Sequence, residues 1–244
     1  MQQRLEQIDE VTIETIELQS ELLNRSVRID FYHSEQKVES GDFTLMLVND
    51  GQDLVTINFE NIFASHNTQS NLLIAGIHSS PDRSQEYGMS AGPNIDGNGA
   101  RAALYESFVV DELLPFIRSR FHHLHFSKIA FAGFSLGGLS AFDIAWNNPG
   151  IFSKAVVFSG SFWWRSVDKR EKNYDPWLHR MMHRQVAESG RREGMKFFFS
   201  CGDHDEGEDR NRNGVIDSID DTIDLMRLLI RKDYLEGRDF FYVQ

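Results

Sequence analysis

Ile129-Ala130-Phe131-Ala132-Gly133-Phe134-Ser135-Leu136-Gly137-Gly138-Leu139 is the stretch on which the reading of this chain turns. The apolar run from Lys128 to Ala132 has the length and composition of a buried strand. Gly137 to Trp146 carries the apolar density of a helix. Between them stands Gly-x-Ser-x-Gly, where the glycines let strand and helix approach closely enough for a serine to occupy a sharp, strained turn. A serine there projects its hydroxyl at the N-terminus of the following helix. The amide of Leu136 and the helix dipole can then stabilise a developing oxyanion. The competing reading is a glycine-rich strand-to-helix turn with an idle serine. Strand, motif, additional glycine and helix in this order favour a nucleophile elbow with Ser135 as nucleophile.

Outward from that point, the chain alternates elements. Val11 to Leu18 and Val27 to Tyr32 alternate apolar and polar residues, the pattern of half-exposed strands. Phe43 to Val48 and Leu72 to Ile77 are more continuously apolar, as in strands buried within a parallel sheet. Ser79 to Gly99 dissolves into Ser, Pro, Asp, Asn and Gly and reads as a long loop. Ala100 to Arg120 has helical spacing, with a kink or break expected at Pro115. Strands follow at Ala155 to Phe158, Met195 to Ser200 and Asp239 to Val243, with a helix at Ile219 to Leu229. Early antiparallel strands followed by strand–helix alternation predict an α/β fold: a mixed, mostly parallel central sheet with helices on both faces. One domain over residues 1–244 is expected.

Composition narrows the chemistry. Lys and Arg number 25 against 37 Asp and Glu among 244 residues, a net charge of −12. That balance disfavours nucleic acid and anionic membranes as partners. One cysteine, Cys201, excludes an internal disulfide and any multi-cysteine metal site, and at a strand end it reads as a structural thiol. The polar start Met1 to Glu6 has no signal-like apolar stretch, so a cytoplasmic location is the expectation. Nothing in the pattern specifies an oligomer.

Several segments in order resemble the esterase D and enterobactin-esterase branch of the α/β-hydrolases. Asn49-Asp50-Gly51-Gln52-Asp53-Leu54 resembles its turn after the third strand, and Ile74-Ala75-Gly76-Ile77-His78 with Arg83 and Glu86-Tyr87 resembles the following segment. Phe108 to Ile117 is similar to its proline-containing helix, and Phe158-Ser159-Gly160-Ser161-Phe162-Trp163-Trp164 to its "S-G-S-x-W-W" stretch. The resemblance runs from about Val27 to the last residue. It implies the α/β-hydrolase fold and a serine ester hydrolase acting on a small-molecule ester, with no catalytic cofactor. It also implies an oxyanion hole from the Leu136 amide and an amide near Gly51 or Gln52, and an acid at Asp205, with Asp203 and Glu206 as close rivals. Trp163 and Trp164 would wall the substrate side, or one of them would pack a cap. Thioesterase or acyltransferase work on the same scaffold is the weaker alternative.

A serine nucleophile needs a base, in this fold a histidine after the final strand. Here Asp239 to Val243 is followed by Gln244 alone, and none of the nine histidines follows Asp205. His204 beside the acid position reads as a loop residue, and His122, His123 and His125 as a solvated turn. Two explanations stay open: an esterase chain lacking its C-terminal segment, or a pseudoenzyme that keeps the pocket as a binding site.

Asp209-Arg210-Asn211-Arg212-Asn213-Gly214-Val215-Ile216-Asp217-Ser218-Ile219-Asp220 has the spacing of an EF-hand loop. Oxygen ligands would come from Asp209, Asn211, Asn213, Asp217 and Asp220, with the Val215 carbonyl, holding a structural calcium. An Asx-rich turn capping the next helix explains the same residues, and Arg210 and Arg212 offset part of the charge.

Overall fold

The computed structural model describes residues 11–34, 42–66 and 71–244. The polar start from Met1 to Glu6 lies outside them. In chain order the elements are β1 (Val11–Ser20), β2 (Arg25–Ser34), β3 (Asp42–Asn49), α1 (Phe59–His66), β4 (Leu72–Ile77) and α2 (Arg83–Glu86). There follow α3 (Ala102–Ser107), α4 (Leu114–Arg120), β5 (His125–Phe134), α5 (Ser135–Asn147) and β6 (Lys154–Phe158). The chain continues with α6 (Pro176–His179), α7 (Met181–Glu188), β7 (Lys196–Ser200), α8 (Asp217–Ile230) and β8 (Phe240–Val243).

The strands form one eight-stranded sheet in the order β1-β2-β4-β3-β5-β6-β7-β8. β1, β2 and β4 pair antiparallel, and every pairing from β4 through β3 to β8 is parallel. This is the mixed, mostly parallel sheet expected from the alternation pattern, and it has the α/β-hydrolase form. The order reverses around β3, which lies between β4 and β5. A ligand crevice is expected at such a switch point, beyond the carboxyl ends of the strands. Asp50 follows β3 and Ser135 follows β5, so both chain turns open there.

α5 is buried from Gly137 through Trp146, which fixes the start of the helix against the sheet. Phe142 anchors it: its ring lies 5.4 Å from Phe197, 5.6 Å from Phe162 and 5.8 Å from Trp146. Each such fully buried side chain contributes on the order of 1.5–3 kcal/mol. A smaller cluster on the sheet's other face joins Tyr32, Val48, Leu54, Phe63, Ile74 and Ala132.

Several local features differ from the sequence-based expectation. Pro115 does not break the helical run. α3 passes through a π-helical stretch at Phe108–Leu113, and α4 restarts with the proline in its first turn, where no N–H is required. α1, α2, α6 and α7 were not predicted, α2 lying inside the expected 79–99 loop, because none exceeds eight residues. Among the described residues no helix is long and apolar enough to cross a membrane.

Candidate active site

Ser135 has φ 51°, a left-handed conformation that a non-glycine residue adopts only under constraint. The constraint is the close crossing of strand and helix. A Cβ at Gly133 would overlap the carbonyl of Gly137, and one at Gly138 would stand 2.9 Å from the Gly133 oxygen. Both flanking positions therefore require glycine, and the serine between them is exposed. Leu136 is the second residue of α5, so its N–H has no intrahelical acceptor.

The turn after β3 is bonded to this elbow. Asn49 Nδ2 donates to the Gly137 carbonyl at 2.8 Å, and a Cβ on Gly137 would lie 2.7 Å from Asp50 Oδ2. Asp50 is itself left-handed (φ 58°) and buried, and Arg83 donates to both its carboxylate oxygens at 2.7 and 2.8 Å. That pairing raises the Arg83 guanidinium further above its already high range. The Asp50 N–H donates to Tyr87 Oη at 3.2 Å, and Tyr105 Oη donates to Asn49 Oδ1 at 2.6 Å. Burial raises both tyrosines, so they stay neutral. Gln52 Oε1 accepts from the Ser79 N–H at 3.0 Å. These bonds fix the backbone of residues 49–52 beside the serine, the arrangement a second oxyanion donor at Gly51 or Gln52 needs.

Ser135 opens into a pocket of about 270 Å³ lined by Phe134, Ser135, Phe158, Ser159, Ser161, Trp163, Asp205, Glu206 and Ser218. Phe134 and Phe158 stack at 4.6 Å along one side. Asp205 Oδ2 accepts the Gly202 N–H at 2.7 Å and the Ser159 hydroxyl, which folds its carboxylate over the tight turn after β7. Of its rivals, Glu206 also lines the pocket and accepts the Ser218 N–H, and burial raises its carboxyl. Asp203 is exposed and accepts from Gln244 Nε2 at 2.9 Å.

Ser161 and Ser159 are the neighbours that sequence reasoning left unassigned. Ser161 Oγ lies 3.2 Å from Ser135 Oγ, and its N–H donates to the Ser135 carbonyl at 3.1 Å. Their signal was present in the Ser159-Gly160-Ser161 segment, but nothing in spacing alone says which hydroxyl faces the nucleophile.

The two tryptophans part company: Trp163 lines the pocket, whereas Trp164 lies in the core, the packing role left open for one of the pair. Its ring is buried against Gly88 and Gly99, where a Cβ would come within 2.7 and 2.8 Å of it. Cys201 is buried, its thiol raised by burial and placed against Thr222 Oγ1 and the Ser218 carbonyl, a structural position.

Among the described residues no histidine lines the Ser135 pocket. His78 bonds Asp30 at 2.6 Å, and His183 is buried against the Asp221 carbonyl, its protonation opposed by burial and the Arg180 charge. His122, His123, His125 and His204 are exposed.

In the 209–220 loop, Asp209 accepts the Asn213 and Gly214 N–H groups at 3.2 and 2.9 Å. Asn211 and Asn213 both donate to Asp220 Oδ2, at 2.8 and 2.9 Å. Asp217 turns away: it caps the Arg210 N–H at 2.9 Å and pairs with the Arg210 guanidinium at 3.1 Å. Among the described residues no three His, Cys, Asp or Glu side chains are grouped to hold a metal. Asp209, Asn211, Asn213 and Asp220 thus remain close neighbours, whereas the expected ligand Asp217 is committed to an arginine.

The sequence profile of the family described as Putative esterase matches residues 20–227. This chain belongs to that esterase family. The fold agrees with solved esterases. The enterobactin esterase of Shigella flexneri, in the presence of enterobactin, superposes with TM-score 0.69 at 20% identity over 98% of this chain and 54% of its own. An IroE-like serine hydrolase from Shewanella oneidensis gives 0.70 at 17% over 95% of this chain and 72% of its own. The siderophore hydrolase EstB of Aspergillus nidulans gives 0.66 at 19%, over 95% and 87%. The chain spans about half the length of the enterobactin esterases it matches. No curated protein matches it in sequence.

Proposed function

We propose that this member of the esterase family is a serine carboxylic-ester hydrolase working through an acyl-enzyme on Ser135. The observation that carries the reading is the left-handed, exposed Ser135 between Gly133 and Gly137, open to a pocket at the start of α5. In the first step the Ser135 oxygen attacks the ester carbonyl and its proton passes to a base. The tetrahedral oxyanion is held by the Leu136 N–H and an N–H at Gly51 or Gln52. Collapse expels the alcohol, which takes up the proton, and water then releases the acid from the serine. Asp205 orients the base. A histidine is the group that fits that role, and it has to reach the pocket from outside the residues that line it.

The absence of a histidine from that lining favours a second reading, a binding protein that uses the same cleft without turnover. Thioesterase or acyltransferase chemistry would use the same serine. Hydrolysis of p-nitrophenyl acetate, compared between the chain and Ser135→Ala, tests the first reading. A rate above background that the substitution removes supports an esterase, and equal rates would count against it. Calcium in the 209–220 loop is a separate proposal of a structural role, bracing the segment that carries Asp205.

A further inference from the structure

We propose that Arg165, stacked beside Trp163, is the anion-binding end of the substrate cleft, so that the preferred ligand carries a carboxylate beside a planar apolar group. The inference rests on the assignment of the Ser135 pocket as the substrate site and adds the chemical class of what enters it.

The Ser135 pocket does not end at Trp163. Trp163 and Glu206 also line an adjoining cleft of about 380 Å³, together with Asp96, Arg165, Lys169, Glu208 and Asp217. A ligand reaching from the serine past the indole therefore meets Arg165 next. The guanidinium carbon of Arg165 lies 5.9 Å from the Trp163 ring centroid, within the range of a cation–π contact.

Among the described residues, Arg165 Nε is buried with no hydrogen-bond partner. A buried guanidinium N–H left unbonded is costly, so a ligand acceptor offered there is favoured. Most other charges in the cleft are engaged, and Arg165 itself lies within electrostatic reach of Glu208 and Asp168. Lys169 pairs with Glu208, Arg210 with Asp217, and Glu206 accepts the Ser218 N–H while burial favours its neutral form. Asp96 is exposed at the rim. Arg165 presents a planar fork that matches a carboxylate, and Trp163 offers a flat face to the group that bears it.

The test is binding, measured on the Ser135→Ala variant by tryptophan fluorescence and by the indole N–H shift, with benzoate and its neutral counterpart benzamide as probes. Benzoate should bind at least about tenfold more tightly than benzamide. Arg165→Gln should abolish that difference, and Arg165→Lys should retain part of it at an unchanged Tm. Equal or undetectable binding of the two probes, or benzoate binding unaltered in Arg165→Gln, overturns the proposal. Because no turnover is needed, a chain that hydrolyses no ester yet prefers benzoate through Arg165 loses the esterase reading and keeps this subsite.

Discussion

The hydroxyls of Ser135 and Ser161 face each other at 3.2 Å, and the Ser161 N–H closes a second bond onto the Ser135 carbonyl at 3.1 Å. If Ser135 is the nucleophile, Ser161 is its positioning residue: it is buried, and its hydroxyl limits the rotamers open to an otherwise exposed side chain. A neutral hydrogen bond of this kind is worth about 0.5–1.5 kcal/mol. Ser161→Ala is expected to lower kcat for p-nitrophenyl acetate by roughly 3- to 10-fold, with KM little changed. An unchanged kcat would remove Ser161 from the account.

The glycines make distinct predictions. Gly137→Ala directs a methyl at Asp50 Oδ2 and Asn49 Cβ, in the turn that carries the proposed second oxyanion donor. Its activity should fall by about tenfold or more while Tm falls modestly. Gly133→Ala drives a methyl into the Gly137 carbonyl, backbone that cannot yield. It should destabilise the protein by about 3 kcal/mol or more. Gly190→Ala, with nothing within 4 Å, is the control expected to change neither. Thermal melts beside initial rates separate the three.

How much of this was legible in the sequence follows from what each residue requires. Gly133 could be read because the Gly137 backbone leaves no room for a side chain there, and Gly137 because a side chain would meet Asn49 and Asp50. The mixed sheet was legible because the early strands alternate and the later ones are separated by helices. Ser161 and Arg165 were not, since a hydroxyl's partner and an arginine's lack of one are properties of the assembled cleft. Trp163 and Trp164 are adjacent and chemically identical. Only the close approach of Gly88 and Gly99 decides which of them is core. α7 is eight residues with two arginine-flanked turns, and tertiary burial of Met181, Met182 and Val186 gives it the apolar face its mean composition conceals.

A buried acid sets a pH dependence. Asp143 in α5 accepts from Ser90 N and Oγ and from Gln185 Nε2, and burial pushes its carboxyl up to about 6, with Glu106 adding repulsion. The folded protein therefore holds this proton more tightly than the unfolded chain, whose Asp titrates near about 3.9. The resulting stabilisation is full below about pH 4 and is lost as pH rises through about 6. It amounts to at most about 3 kcal/mol. The Tm of the parent relative to Asp143→Asn should fall by several degrees between pH 5 and 7.5. Parallel melting profiles across that range would contradict the assignment.

Calcium is tested by stability. If Asp209, Asn211, Asn213 and Asp220 gather a calcium ion, millimolar calcium should raise Tm by a few degrees and EGTA should reverse it. Asp209→Ala should abolish the response. Because Asp217 is held by Arg210, Asp217→Asn should leave the calcium response in place. A Tm insensitive to calcium and EGTA leaves the loop as a self-bonded cap of α8.

The central proposal is that Ser135 is the nucleophile of an ester hydrolase. Fluorophosphonate labelling followed by peptide mass spectrometry, with and without added imidazole, addresses it most directly. The adduct should map to Ser135 alone, form faster with imidazole standing in for the histidine, and vanish in Ser135→Ala. No adduct in either condition, or an adduct on a different residue, would contradict the account.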